Sequence, residues 1–402
     1  MILQELPIGD FIEPVSNWKQ RDASADDTFR YIDLSSVDQD TKEIRLNNEI
    51  FVKDAPSRAR QILKSDDILI STVRPNLNGV AVVPEDCDGA IGSTGFCVLR
   101  PKPKKLCNRY LFHWVRSPQF VEDMTKKATG QSYPAVSDKI VKESVIPLPI
   151  DIEEQKRIAA ILDQADSLRR ARRQSIEKLN SLSQSIFREM FGDPVKNERQ
   201  WDVKKLKTLS SKISSGSTPV GGKQVYVEDG IVFLRSQNVW RIKIELDDVV
   251  YIDETTHQKM EKTSLKHGDI LITKTGRINT ENSSLGRAAM FLGENDSANI
   301  NGHVYLIRPK LDVLKEFVLY IMTTPEYREY IRSVCVGGID KRQINKEHLE
   351  EFPIIYPPIE EQKKFLKCLA SIEEQKARFC EQSELSENLF LSLQQRAFRG
   401  EL

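Results

Sequence analysis

A chain of 402 residues with 59 Lys plus Arg against 59 Asp plus Glu has room for two or three domains. Its zero net charge gives no overall pull toward nucleic acid or membrane, so any such partner must be met by local patches. The six cysteines (Cys87, Cys97, Cys107, Cys335, Cys368, Cys380) include no CxxC pair, which speaks against a disulfide framework or zinc site and for reduced thiols. The opening MILQELPIGDFIEP has no basic and apolar leader pattern, and no apolar run approaches about 18 residues, so a soluble cytoplasmic protein is expected.

Residues 1–149 read as a first mixed α/β domain. Short β-rich runs, DDILISTV (66–73), GVAVVPE (79–85) and FCVLRP (96–101), alternate with Gly, Asn, Asp and Pro clusters, and a helical stretch follows at YLFHWVRSPQF. Residues 150–193 read as a long helix. Asp151 is its expected N-cap, with Glu154 as capping-box partner, and Gly192 and Pro194 stop it. Its apolar positions, Ile158, Ile161, Ala165, Leu168, Leu179, Leu182 and Ile186, form a heptad seam interrupted at Arg172 and Ser175. At 1.5 Å per residue, some 40 residues make a rod on the order of 60 Å.

Residues 194–355 read as a second mixed α/β domain, with runs GIVFLRS (230–236), GDILITKTG (268–276) and HVYLIRP (303–309), then FVLYIMTTPEY. Residues 356–402 form a second long helix opening after Pro357-Pro358. Phe365, Leu369, Ile372, Phe379, Phe390, Leu393 and Ala397 line its seam. Each seam is weak at its middle, so the two rods are expected to bury their stripes against each other as an antiparallel coiled coil. The fold class is therefore α+β.

The two halves repeat each other. PLPIDIEEQKRIAAILD (147–163) returns as PIIYPPIEEQKKFLKCLA (353–370), an offset of 207 positions from Ile152 to Ile359. SLSQSIFRE (181–189) returns as SLQQRAFRG (392–400), an offset of 211 from Leu182 to Leu393. LKSDDILIS and LKHGDILIT, and LRPK and IRPK, match within the domains. Similarity is high in the helices and low in the domains, which suggests a common scaffold presenting two different readers.

Catalytic signatures are missing from the chain. No NPPF- or DPPY-like motif and no glycine-rich cofactor loop occurs, and GSTPVGGKQ (216–224) fails the phosphate-loop template because Lys223 is misplaced and Gln224 replaces Ser or Thr. The five histidines form no metal-binding spacing. A nuclease in its own right is disfavoured by the missing metal-site carboxylates.

The doubled, proline-flanked EEQK helix starts, the GDILITKTG strand-turn and the AFRGEL ending resemble the specificity subunit of type I restriction-modification systems, over essentially the whole chain. The resemblance implies two target-recognition domains, each reading half of a split, asymmetric DNA site. It implies helical repeats that set the spacing and dock two methylation subunits, with restriction subunits joining them. S-adenosylmethionine and ATP are then expected on those partners and no cofactor or metal on this chain, which is expected to be non-catalytic. A coiled-coil scaffold with two protein-binding domains is the competing reading.

Base readers are expected on loops rich in Arg, Asn, Gln and Lys. In the first domain these are Arg74, Asn76 and Asn78 in one loop and Gln131, Ser132 and Tyr133 in another. Arg74 suits guanine, with a surface ion pair as its competing role; Asn76, Asn78 or Gln131 suits adenine, with turn chemistry as the competing role for Asn76 and Asn78. In the second domain they are Arg235, Ser236 and Asn238; Lys274 and Arg277; Asn301 and His303; and Lys341 and Arg342 in the loop 337–342. Arg169, Arg170, Arg172 and Arg173 are candidates for spacer phosphates, or else a solvated helix face.

If the helical repeats act as a ruler, deleting one turn, about 6 Å, from the central repeat is expected to change the DNA spacer accepted. Both half-sites should stay as they were. Mapping methylated sites in cells expressing the shortened chain with its methylation subunit checks this, and an unchanged spacer sinks the ruler.

Overall fold

The computed structural model describes residues 2–45, 49–277, 282–338 and 341–402. The chain divides into two compact units, Met1–Glu177 with Ala377–Leu402, and Lys178–Lys376. The long helices run Ile152–Phe191 and Ile359–Ala397. Neither is a separate body. Each gives one end to one unit and the other end to the other.

In the first unit a four-stranded antiparallel sheet has the order Ile12–Glu13, Phe96–Pro101, Ile68–Ser71, Val80–Val82. Strand Gln4–Pro7 pairs antiparallel with Val145–Leu148, just before the central helix. The second unit repeats the plan. Ser210–Ser215, Val304–Pro309, Ile270–Thr273 and Ala288–Met290 form the sheet, and Val203–Lys205 pairs with Pro353–Ile355 before the terminal helix.

The two sequence matches inside the domains mark one buried device used twice. Arg100 donates from Nε and Nη2 to both carboxylate oxygens of Asp67 at 2.7 Å, and from Nη2 to Ile62 O at 3.1 Å. Arg308 grips Asp269 at 2.8 and 2.7 Å and Ser264 O at 3.2 Å in the same way. Asp67 also accepts from Lys64 N, and Asp269 from Lys266 N. A buried charge needs all its lone pairs met, which explains why the aspartate, the following strand and the later arginine recur together.

The EEQK repeat has a similar cause. Gln155 is buried in the first helical turn, donates to Pro149 O at 2.8 Å and accepts from Cys107 N at 2.9 Å. Gln362 is buried at the matching place and donates to Pro357 O at 2.8 Å. Each glutamine ties a helix start to the proline-flanked segment before it. Asp151 caps Glu153 N at 3.0 Å, as expected of the N-cap, but Glu154 does not reach back to it. Its carboxylate is bidentate to Arg157 at 2.7 and 2.8 Å, an i,i+3 pair.

Within the first unit the helix segments pair antiparallel: Arg169 stacks 4.1 Å from the Phe390 ring and bonds Glu387, while Arg172 reaches back to Gln382. Ile158, Ala159 and Leu162 share a core with Ala397, Phe398, Tyr110 and Trp114. In the second unit Phe187 and Phe191 pack on Phe365 and Phe317 at ring distances of 5.1 to 6.2 Å. The expected seam needs two corrections, since Leu168 is 53% and Leu182 43% exposed. The buried face instead follows Gln155, Ile158, Ala159, Leu162, Ala165 and Asp166, because a straight helix drifts from a strict seven-residue repeat.

The four arginines of the central helix are engaged to different degrees, and the Arg173 side chain stays 50% exposed. Asp166 is buried and bonded to Arg116 (3.2 Å twice), Arg169 (2.6 Å) and Arg170 (3.0 Å). Arg170 also reaches Glu43, and Arg173 pairs with Glu387 at 3.0 Å. Arg169 keeps 12% of its side chain exposed. Arg169 and Arg170 fill with ion pairs the stretch where the apolar seam fails. The positions 207 further on, Thr323, Glu373 and Lys376, instead line a cavity of about 580 Å³ walled by Ile242, Met290, Leu319, Tyr320 and Leu369.

Replacing Asp166 with Asn leaves the arginines around a neutral amide and is expected to cost about 3–5 kcal/mol in denaturant unfolding. The exposed pair partner Asp123→Asn should cost under about 0.5 kcal/mol. Asp163 supplies a pH test. Burial alone raises its pKa, but hydrogen bonds from His113 and Arg109 outweigh that and hold it at about 2. A depressed carboxylate stabilises the fold above its unfolded pKa of about 3.9. That contribution is lost as pH falls through about 2. Unfolding midpoints taken from pH 5 downward should fall less steeply in Asp163→Asn than in the parent chain.

Candidate nucleic-acid interface

In the first domain the chain leaves strand Ile68–Ser71 and the two expected loops meet. Val73 and Thr129 both bridge to Ala135, and Arg74 N donates to Pro134 O at 2.7 Å. Arg74 adopts a left-handed backbone (φ 52°) ahead of the turn Pro75–Leu77, and its guanidinium lies 4.6 Å from the centre of the Tyr133 ring. Its Nη2 also donates to Ser132 O at 3.5 Å. Tyr133 is 69% exposed, and Asn76, Gln131 and Ser132 are exposed beside it. Asn78 has the turn role: φ is 48°, its side-chain amide donates to Arg116 O at 3.2 Å, and its carbonyl accepts from Lys42.

The second domain builds the same feature as a three-stranded ribbon in which Thr275–Gly276 and Val336–Gly338 flank Lys341–Gln343. Gln343 stands where Ala135 stands, since Thr275 and Val336 pair with it. Both hairpins pivot on a left-handed glycine. A Cβ on Gly130 (φ +108°) would lie 3.1 Å from Tyr133 O, and one on Gly337 (φ +115°) 2.5 Å from Lys341 O. Lys341 thus occupies the place of Tyr133 and is exposed, as is Arg277 at the end of the neighbouring strand. Arg342 is half-buried and donates to Cys335 O at 3.0 Å. Ile339 and Asp340 of the expected loop lie outside the described residues.

Lys274 sits beside this ribbon. Its ammonium donates to Gly302 O at 2.7 Å and to Ser215 Oγ, and lies 4.2 Å from the Tyr305 ring centre. Burial lowers its pKa to about 8. Lys274 N donates to His303 O, which joins the expected 273–277 and 299–303 loops. Asn301 is a turn residue whose side chain accepts from His303 N at 3.1 Å, while His303 itself is exposed.

Of Arg235, Ser236 and Asn238, the expectation for Asn238 is corrected. Asn238 is 2% exposed; its carbonyl oxygen accepts from Arg235 N, and its amide donates to Glu245 O and Asp248 O. Arg235 is held by the Asp248 carboxylate at 2.9 Å, and Ser236 is half-buried in the same turn. The Arg235 and Asn238 side chains staple a loop, and Asn238 has no donor left for a base. Sequence reasoning missed the Arg74–Tyr133 stack, because the two residues are 59 positions apart in the chain. It also missed Arg287, which lies 3.8 Å from the Trp240 ring centre. Among the described residues no group of three or more His, Cys, Asp or Glu is placed to hold a metal ion.

A family model described as the type I restriction modification DNA specificity domain matches residues 35–180 and again 198–383. The MjaVIII specificity subunit of Methanocaldococcus jannaschii is 28% identical over 302 residues, spanning 71% of this chain and 68% of that protein. The EcoBI specificity subunit of Escherichia coli is 21% identical over 336 residues, 76% of this chain and 68% of that one. Among solved structures, a chain from work on complex assembly and conformational transition of the type I R-M system has a TM-score of 0.61 at 25% identity, covering 100% of this chain and 98% of that one. The type I restriction-modification S subunit from M. genitalium shares the fold, with a TM-score of 0.57 at 14% identity, covering 99% and 96%. With two copies of the family's domain, this chain belongs to the type I restriction-modification DNA specificity family.

Proposed function

We propose that the chain is a non-catalytic DNA specificity subunit that reads a bipartite, asymmetric site, one half with each domain. One observation carries this reading. At matched register, the same hairpin presents Arg74 and Tyr133 in the first domain and Gly276 and Lys341 in the second. A shared frame with different donors at its edge is what reading two unlike sequences requires, since base edges are distinguished by the pattern of donors and acceptors presented to them. Lys274, Arg277, His303 and Lys341 add cationic and polar groups on the second domain for phosphate and base contacts.

In this reading the long helices dock methylation and restriction subunits, and S-adenosylmethionine and ATP are bound by those partners. Exposed leucines on the helices support the docking part: Leu168, Leu385 and Leu389 in the first unit and Leu182 in the second. Leu385 and Leu389 lie one turn apart and give the terminal helix an apolar strip for a partner to cover.

The complex reconstituted with its methylation subunit is expected to prefer its split target over random duplex by roughly 10³-fold or more at physiological salt. Selection from a random DNA pool, followed by competition binding, measures this. Enrichment of no split sequence would sink the reading and leave a protein-binding scaffold.

A further inference from the structure

We propose that Arg74, held by Tyr133, is a specificity-determining residue that reads a guanine in the half-site of the first domain, an inference that rests on the proposed function. Most buried and half-buried arginines of this chain are already committed to carboxylates: Arg100 to Asp67, Arg116 and Arg169 to Asp166, Arg235 to Asp248, Arg308 to Asp269. Arg74 differs. It is exposed, and among the described residues no carboxylate forms an ion pair with it. Its planar group lies over an aromatic ring that is itself 69% exposed, with one edge at Ser132 O.

Stacking on a ring restrains a guanidinium without consuming its in-plane N–H donors, so the fork reaches its ligand with less entropy to lose. A fork of two parallel donors matches the O6 and N7 acceptors that guanine shows in the major groove, a pattern no other base offers. The backbone helps aim it. The left-handed φ of 52° at Arg74, followed by Pro75, turns the side chain out of the strand beside the hairpin. Holding an arginine in that conformation is unfavourable by itself, and Pro134 O fixes it through the Arg74 amide.

The second domain cannot use the same reader. Gly276 occupies the place of Arg74, and a Cβ there would lie 2.4 Å from Leu285 N. Any guanine contact of that half-site must come from another position.

The test uses the full chain assembled with its methylation subunit and reads methylated sites genome-wide, together with binding to duplexes altered one base at a time. Arg74→Gly suits the left-handed backbone, so the variant should fold, which thermal unfolding verifies. The expected result is one position in one half-site, guanine in the parent, becoming degenerate with a discrimination loss on the order of 10- to 100-fold, all other positions unchanged. Arg74→Lys should not restore it, because an ammonium lacks the fork. Tyr133 is a positioning residue: Tyr133→Phe should keep the guanine preference and Tyr133→Ala should relax that same position. A parent motif with no guanine in either half overturns the proposal. So does an unchanged motif with affinity lowered equally for all sequences, which marks a phosphate contact. In both cases the split motif itself leaves the proposed function standing, whereas a parent complex with no split motif removes that reading and this proposal together.

Discussion

Each domain of this chain is closed by a helix end that comes from the other repeat. Phe398, directly after the terminal helix, stacks on Tyr110 and Trp114 of the first domain at 5.3 and 4.9 Å. Phe187, from the end of the central helix, stacks on Phe317 and Tyr320 of the second domain. Removing either helix end would open a core of large rings, and such truncations carry some of the largest penalties known for single residues. This requirement ties both helices to both domains and constrains their sequences alike, which is why the repeat is plainest there.

The domains answer to a looser constraint. Their sheets need the buried Asp67–Arg100 and Asp269–Arg308 pairs, the first-turn glutamines, and a glycine at the hairpin pivot. Nothing in that frame dictates the side chains at the hairpin's exposed edge. Arg74 and Tyr133 can therefore give way to Gly276 and Lys341 without disturbing the sheet beneath, and a change of reader need not be a change of fold.

The units are not electrostatic copies. The first locks its helix pair to the domain through Asp166, whose carboxylate is kept charged although burial opposes it, because Arg116, Arg170 and Arg169 surround it. The second has Thr323, Glu373 and Lys376 at those positions and an apolar-walled cavity among them. A buried ionic cluster tolerates no partial substitution, since losing one partner strands the others.

The sequence by itself determined the duplication, the two long helices and most strand cores. These rest on local periodicity, turn residues and repeated motifs, all written along the chain. It also marked the 71–79 and 129–134 loops, since Arg, Asn and Gln next to Gly and Pro after a strand point to exposed turns. Tertiary structure alone decided which of those side chains were free. Asn238 and Arg235 look like base readers in sequence, yet the chain folds Glu245 and Asp248 back onto them. Arg169 reads as part of a charged helix face until Asp166 and Glu387 enclose it. Arg74 and Tyr133 become one unit only when two distant loops meet at Ala135. The availability of a donor depends on what the folded chain brings within about 3 Å of it, and no local pattern records that distance.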